Sequence, residues 1–164
     1  MSEVKRPEKS AADSRTTQVH IVMPMHVNAS YHLFGGMLME WIDVVAGVVA
    51  KRHSQREVLT AAVDHLSFLA PANLGDTVEL VGRVTWVGNT SMEVCVESYV
   101  EHIGQERKSP LLVNRAYLTM VALDEKGKPT QVPALSLTTA REKADYEAGK
   151  LRLQERKRLD VLLS

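Results

Sequence analysis

Hydrophobic positions are densest between residues 28 and 50, NASYHLFGGMLMEWIDVVAGVVA. At about 100° per residue from Gly36, the side chains Met37, Leu38, Trp41, Ile42, Val44, Val45, Val48 and Val49 fill an arc of roughly 160°, the signature of a helix. The remaining arc carries Gly36, Met39, Glu40, Asp43, Ala46, Gly47 and Ala50, of which only Glu40 and Asp43 are polar. A helix so nearly apolar is expected to be wrapped on most of its surface. A carboxylate well inside it, on a side kept thin by small residues, is costly without a partner or a task.

Around this helix the pattern switches to alternation. Residues 16 to 23 place Thr17, Val19, Ile21 and Met23 on one side and Gln18, His20 and Val22 on the other, a short strand closed by Pro24. Lys51, Arg52 and His53 put positive charge on the last helical turn, where the dipole favours it. Four long β-branched runs follow: 58 to 69, 77 to 87, 91 to 100 and 111 to 123. Gly88, Asn89 and Thr90 join the second to the third as a hairpin turn. Val78, Leu80, Val84 and Trp86 are expected to point inward on one strand, and Met92, Val94, Val96 and Val100 on the next. One strand, one apolar helix and four antiparallel strands predict an α+β fold, a curved sheet wrapped around the helix.

The ends read differently. Residues 1 to 15 have no apolar periodicity and are expected to form a disordered leader. Residues 16 to 138 form one domain, and 139 to 164 a helical tail with five cations against Glu155 between Lys150 and Arg158. That tail is expected either as a solvated or subunit-packing helix or as a phosphate-binding segment.

Composition narrows the classes. Lysine plus arginine equals aspartate plus glutamate at 20 each, so net charge gives no argument for nucleic acid or a membrane surface. The single cysteine, Cys95, argues against a disulfide framework and fits a cytoplasmic setting. Metal spacings, phosphate-loop glycines and a serine nucleophile elbow are all missing from the sequence.

What remains as candidate chemistry is Asn28, the helix start at Gly35 and Gly36, Asp43, and Thr60 in the next strand. Glycines in a first helical turn let a carbonyl approach free N–H groups, and the helix dipole favours oxyanion character there. An aspartate on the same helix could activate a water or attack directly; the residues leave both open.

The run from Asn28 to Asp43, with Phe34-Gly35-Gly36, Met39 and Trp41-Ile42-Asp43, resembles the signature of the hotdog-fold acyl-CoA thioesterases of the cytosolic acyl-CoA hydrolase type. The resemblance continues through Leu59-Thr60-Ala61, Asp64, Phe68, Pro71, Gly75-Asp76, Val87 to Val94 and Tyr117 to Pro133. It implies a hotdog fold hydrolysing fatty acyl-CoA to free acid and coenzyme A without metal or cofactor. It also implies Asp43 as general base or nucleophile, Asn28 positioning thioester or water, Thr60 in support, and Gly35 and Gly36 polarising the carbonyl. Coenzyme A contacts are expected from Ser91, Arg83, Arg107, Lys108 and Arg156, and an acyl tunnel from Tyr31, Phe34 and Met39. The family implies a homodimer with sites astride the interface, assembled as a trimer of dimers, with no nucleic acid or membrane partner. One departure stands out: Tyr31 occupies a position usually held by glycine. Tyrosine takes positive φ only at a cost, so the loop is expected to be re-routed and the tunnel narrowed. The alternative is a non-catalytic acyl-CoA binding or sensing protein on the same fold.

Overall fold

Long alternating runs joined by tight turns pair with their neighbours, and the computed structural model, which describes residues 5–102, 104 and 110–164, shows this hairpin logic throughout. Strands β2 (Thr16–Ile21), β3 (Glu57–Phe68), β4 (Thr77–Val87), β5 (Ser91–Glu101) and β6 (Leu111–Leu123) form one antiparallel sheet in the order β2-β4-β5-β6-β3. Helix α2 (Gly35–Ser54) packs on its inner face. The helix and the five strands fall where the hydrophobic pattern predicts them.

The inner face is built by alternation. Val78, Leu80 and Val84 of β4, Met92, Val94 and Val96 of β5, and Leu118 and Met120 of β6 meet Ile42, Val45, Ala46, Val49 and Ala50 of α2. Between Leu80 and Val84 the inward position is Gly82. A Cβ there would lie 2.7 Å from Val45 and 2.9 Å from Val49, so a missing side chain sets how deeply α2 sinks into the sheet. Trp86 departs from the predicted inward face. A bulge between Val84 and Trp86 turns it outward, where its ring meets Tyr146.

On β2 the side facing in is the polar one. His20 stacks flat on Trp41 at 4.0 Å, and His26, in the 3-10 turn Pro24–His26, meets the same ring edge-on at 5.1 Å. Val19 and Ile21 therefore point out, each 58 % exposed.

Helix α2 is not wrapped all round in the single chain. Met39, Glu40, Asp43 and Val44 are exposed, as are Leu59 and Val63 on the edge strand β3. Five strands reach only part of the helix circumference.

The ends are ordered differently from expectation. Of the stretch predicted as a disordered leader, Glu8–Ser10 forms β1, paired in parallel with β7 (Ala134–Ser136), and Ala11–Ser14 forms the short helix α1. The leader lacks periodicity because it contributes single anchors rather than a face: Arg6 donates to the carbonyls of Val132 and Gly88.

Of the basic tail's five cations, Arg152 and Arg156 are half-buried and held against the sheet, while Lys150, Lys157 and Arg158 are exposed. Helix α3 (Ala140–Leu163), capped by Thr139, crosses the outer face of the sheet. Arg83 of β4 pairs with Asp145 at 3.1 Å, Arg152 with Glu93 of β5 at 2.7 Å, and Arg156 with Asp64 of β3 at 2.9 Å. Arg152 also lies 3.7 Å over the ring of Tyr117 on β6. Asp145, Gly149, Arg152 and Arg156 share one helical face, and a Cβ at Gly149 would lie 2.7 Å from Glu93.

His53 closes α2 in a fully buried position. Only a donor can meet the Pro133 carbonyl 3.0 Å from Nε2, so that nitrogen carries the proton, while Nδ1 is buried without a partner. Burial holds its pKa below the ordinary histidine value. The unfolded chain therefore binds a proton that the folded chain refuses. Stability is full above about pH 6.5 and falls as pH drops below that value toward the lower folded-state pKa. Urea unfolding at pH 7.5 and 5.5 is expected to show this loss, and His53→Gln to reduce it; an unaltered pH slope in the variant would assign the effect elsewhere.

Candidate active site

The segment before α2 is folded by its own side chains. Asn28 Oδ1 accepts from the backbone N–H groups of Ser30 at 2.9 Å and His32 at 3.2 Å. Its backbone N–H donates to the His32 carbonyl, and its carbonyl accepts from Tyr31 at 3.0 Å. This tight turn places Tyr31 at φ 60°, in the left-handed region. The loop is therefore not re-routed around the tyrosine: Tyr31 adopts the positive φ, its side chain 68 % exposed. The loop docks through Leu33 N–H to the Ala72 carbonyl and Leu74 N–H to the Tyr31 carbonyl.

The loop ends at Phe34, which caps α2 without a side-chain hydrogen bond. Met37 and Leu38 already donate to the Phe34 carbonyl, while the N–H groups of Gly35 and Gly36 have no backbone partner among the described residues. A Cβ at Gly36 would lie 2.7 Å from the ring of Phe34. Two free donors thus stand at the positive end of a twenty-residue helix.

Asp43 lies farther along the helix, on its open side. Thr60 Oγ1 donates to Asp43 Oδ1 at 2.6 Å. Thr60 reaches it because β3 is bulged twice, between Thr60 and Ala62 and between Asp64 and Leu66, the second at His65 with φ 48°. Each bulge resets the alternation, so Thr60, Val63 and Leu66 all face α2 while Asp64 faces out. The Asp43–Thr60 pair borders a cavity of about 240 Å³ whose other walls are Met39, Ile42, Val63, Leu66 and Leu118. One carboxylate and one hydroxyl against five apolar side chains suit an apolar chain ending in a polar, hydrolysable group.

Of the predicted site residues, the structure joins Asp43, Thr60 and Met39. Asn28, Tyr31, Phe34, Gly35 and Gly36 form a second group at the helix start. Tyr31 and Phe34 do not line the Asp43 cavity. Arg83 pairs with Glu97 and Asp145, and Arg156 with Asp64. Both arginines are thus held by carboxylates on the outer face instead of standing free for phosphates. Ser91 begins β5 at the hairpin, its carbonyl accepting from Gly88, and Arg107 and Lys108 lie outside the described residues. Val63, Leu66 and Leu118 are cavity walls that the sequence does not announce: strict alternation puts Val63 opposite to Thr60, no residue pattern marks the bulges, and Leu118 comes from the neighbouring strand β6.

The chain and its fold resemble known proteins. Residues 31–106 match the model of the Thioesterase superfamily. The chain is 39% identical over 145 residues to YkhA of Bacillus subtilis, described as an uncharacterized acyl-CoA thioester hydrolase, covering 88% of this chain and 83% of that protein. An acyl-CoA hydrolase from Staphylococcus aureus, solved with butyryl coenzyme A, coenzyme A and coenzyme A disulfide, superimposes with a TM-score of 0.88 at 34% identity, covering 94% of this chain and 93% of that one. A hexameric acyl-CoA thioesterase solved in its apo form gives 0.90 at 36% identity, over 95% and 99%. A hotdog sheet around one helix, with an acid beside an apolar cavity, defines a thioesterase-type domain. The chain belongs to the thioesterase superfamily, among its acyl-CoA thioester hydrolases.

Tyr31 carries a measurable cost. A left-handed conformation costs an L-residue roughly 1–2 kcal/mol, of which glycine's extra unfolded-state freedom returns about half. Tyr31→Gly is expected to raise stability by about 0.5–1 kcal/mol in denaturant titration; a clear loss would show that the tyrosine side chain makes contacts worth more than the strain.

Proposed function

We propose that this chain hydrolyses acyl-CoA thioesters to the free acid and coenzyme A, at a site built from two copies of the chain. The observation that carries this reading is the Asp43–Thr60 pair at 2.6 Å beside an apolar cavity. Thr60 occupies one carboxylate oxygen and leaves the other to hold a water. In the proposed reaction Asp43 takes a proton from that water as its oxygen attacks the thioester carbon. The tetrahedral oxyanion is met by the N–H groups of Gly35 and Gly36. The C–S bond then breaks, and the proton held by Asp43 passes to the leaving thiolate. Asn28 acts by holding the loop that presents this helix start, and the cavity receives the acyl chain.

Helix geometry supports two copies. Gly36 and Asp43 are seven residues apart, about 10 Å along the axis, and first-turn N–H groups point away from Asp43. A carbonyl bound at the helix start is therefore out of reach of the same chain's Asp43. The exposed apolar face of α2 and β3, with Val44 at 48 % and Val63 at 46 %, supports a homodimer contact next to Asp43. The second apolar patch, Val19 and Ile21 on the outer side of β2, supports further assembly into a trimer of dimers. The Staphylococcus aureus hydrolase has been prepared with Asn28→Ala, Asp43→Ala and Thr60→Ala, the same residue types at the same numbers as here. A coenzyme A substrate and the single buried Cys95 support a cytoplasmic location. Among the described residues no helix is long and apolar enough to cross a membrane.

Thiol release from acyl-CoAs of graded chain length tests the reading. Asp43→Ala is expected to lower kcat by about 10²–10⁴-fold. Thr60→Val removes a hydrogen bond to a charged group, worth roughly ten- to a hundredfold. Tight acyl-CoA binding without turnover by the native protein would instead establish a binding module.

A further inference from the structure

Arg156 stands on the far side of the sheet from Asp43, yet it acts on the same strand. Its Nη1 donates to Asp64 Oδ2 at 2.9 Å and to Thr119 Oγ1 at 2.6 Å. Asp64 lies between the two bulges of β3, immediately before His65 with its positive φ. Those bulges aim Thr60 at Asp43 and bring Val63 and Leu66 into the cavity wall. Within one chain, strand β3 is the edge of the sheet, paired among the described residues only with β6, so the chain's own hold on this irregular register comes from β6 and from side chains. The Asp64 and Arg156 side chains are 15% and 24% exposed, enough shelter for the pair to outlast a surface contact.

We propose that Arg156 is a positioning residue: through Asp64 and Thr119, helix α3 straps the bulged register of β3 and so holds Thr60 against Asp43. The inference rests on the acyl-CoA hydrolase reading for its kinetic part only. It gives the basic tail a role different from phosphate binding, and the two roles separate in kinetics. A strap on the general base and the acyl wall changes kcat and chain-length preference; a phosphate ligand changes KM and the inhibition by free coenzyme A.

The test compares Arg156→Met, Arg156→Lys, Asp64→Asn and the Met/Asn double variant with the native protein. Arg156→Met is expected to lower kcat roughly ten- to a hundredfold, the scale of a slightly misplaced catalytic group, with KM and coenzyme A inhibition within about twofold. Asp64→Asn is expected to act alike, the double variant to be no worse than either single one, and Arg156→Lys to recover much of the loss. Amide hydrogen exchange across residues 60–66 is expected to quicken in Arg156→Met while β4 and β5 stay protected, which separates a loosened strand from a failed fold. A raised KM and weakened coenzyme A inhibition at native kcat would overturn the proposal, as would unchanged exchange across 60–66. A native protein without turnover would refute the hydrolase reading, and the exchange comparison would still decide the strap.

Discussion

The candidate chemistry depends on one hydrogen bond, from Thr60 to Asp43, and on the two backbones that must be held for it to form. Helix α2 is fixed in depth by the absence of a side chain at Gly82, where Val45 and Val49 press against the β4 backbone. Strand β3 is fixed in register by two bulges, without which Thr60 and Val63 could not share a face. Neither constraint involves a catalytic group, yet together they set the distance between hydroxyl and carboxylate.

The outer face of the sheet solves a different problem. It carries Glu93 and Glu97 at 4 % exposure, charges that burial alone would penalise heavily. Burial pushes the Glu97 carboxyl up, but Arg83, Tyr99 and Arg115 outweigh it and hold its pKa below the usual value. Burial likewise pushes the nearby Cys95 thiol up to about 11, which keeps it protonated and unreactive at neutral pH. Helix α3 brings Arg152 to complete the set on Glu93, so this face is joined by directional ion pairs while the inner face is joined by apolar packing. A helix held in that way has a defined position over each strand it crosses.

How much of this was legible in the sequence follows from what creates a pattern. Helix α2 and strands β2 to β6 leave strong periodicities because each buries a face. Asp43 and Gly35-Gly36 stood out because polar and small residues interrupt an apolar helix. Strands β1 and β7 are three residues each, too short to show alternation. The bulges at Ala61 and His65 have no composition of their own, so the sequence does not place Val63 on the face of Thr60, and Leu118 reaches the cavity from the neighbouring strand β6. Because positive φ is costly for tyrosine, the sequence predicts a new loop path at Tyr31, yet Tyr31 takes φ 60°. The Asn28 side chain, accepting two backbone N–H groups, holds the turn in place against that cost. The arginines of the tail looked available because their carboxylate partners, Glu93 and Asp64, lie about sixty and ninety residues away in sequence.

Within one chain the oxyanion donors and the acid sit at different places on the same helix, and the faces that would unite them across two copies are exposed and apolar. The most direct measurement is therefore complementation between two inactive variants, Asn28→Ala and Asp43→Ala, unfolded together and reassembled. If each site takes Asn28 and the helix start from one copy and Asp43 from the other, every mixed dimer holds one intact site, and random pairing restores roughly a quarter of native turnover. No restored turnover in verified mixed assemblies would place the whole site within a single chain and contradict the account.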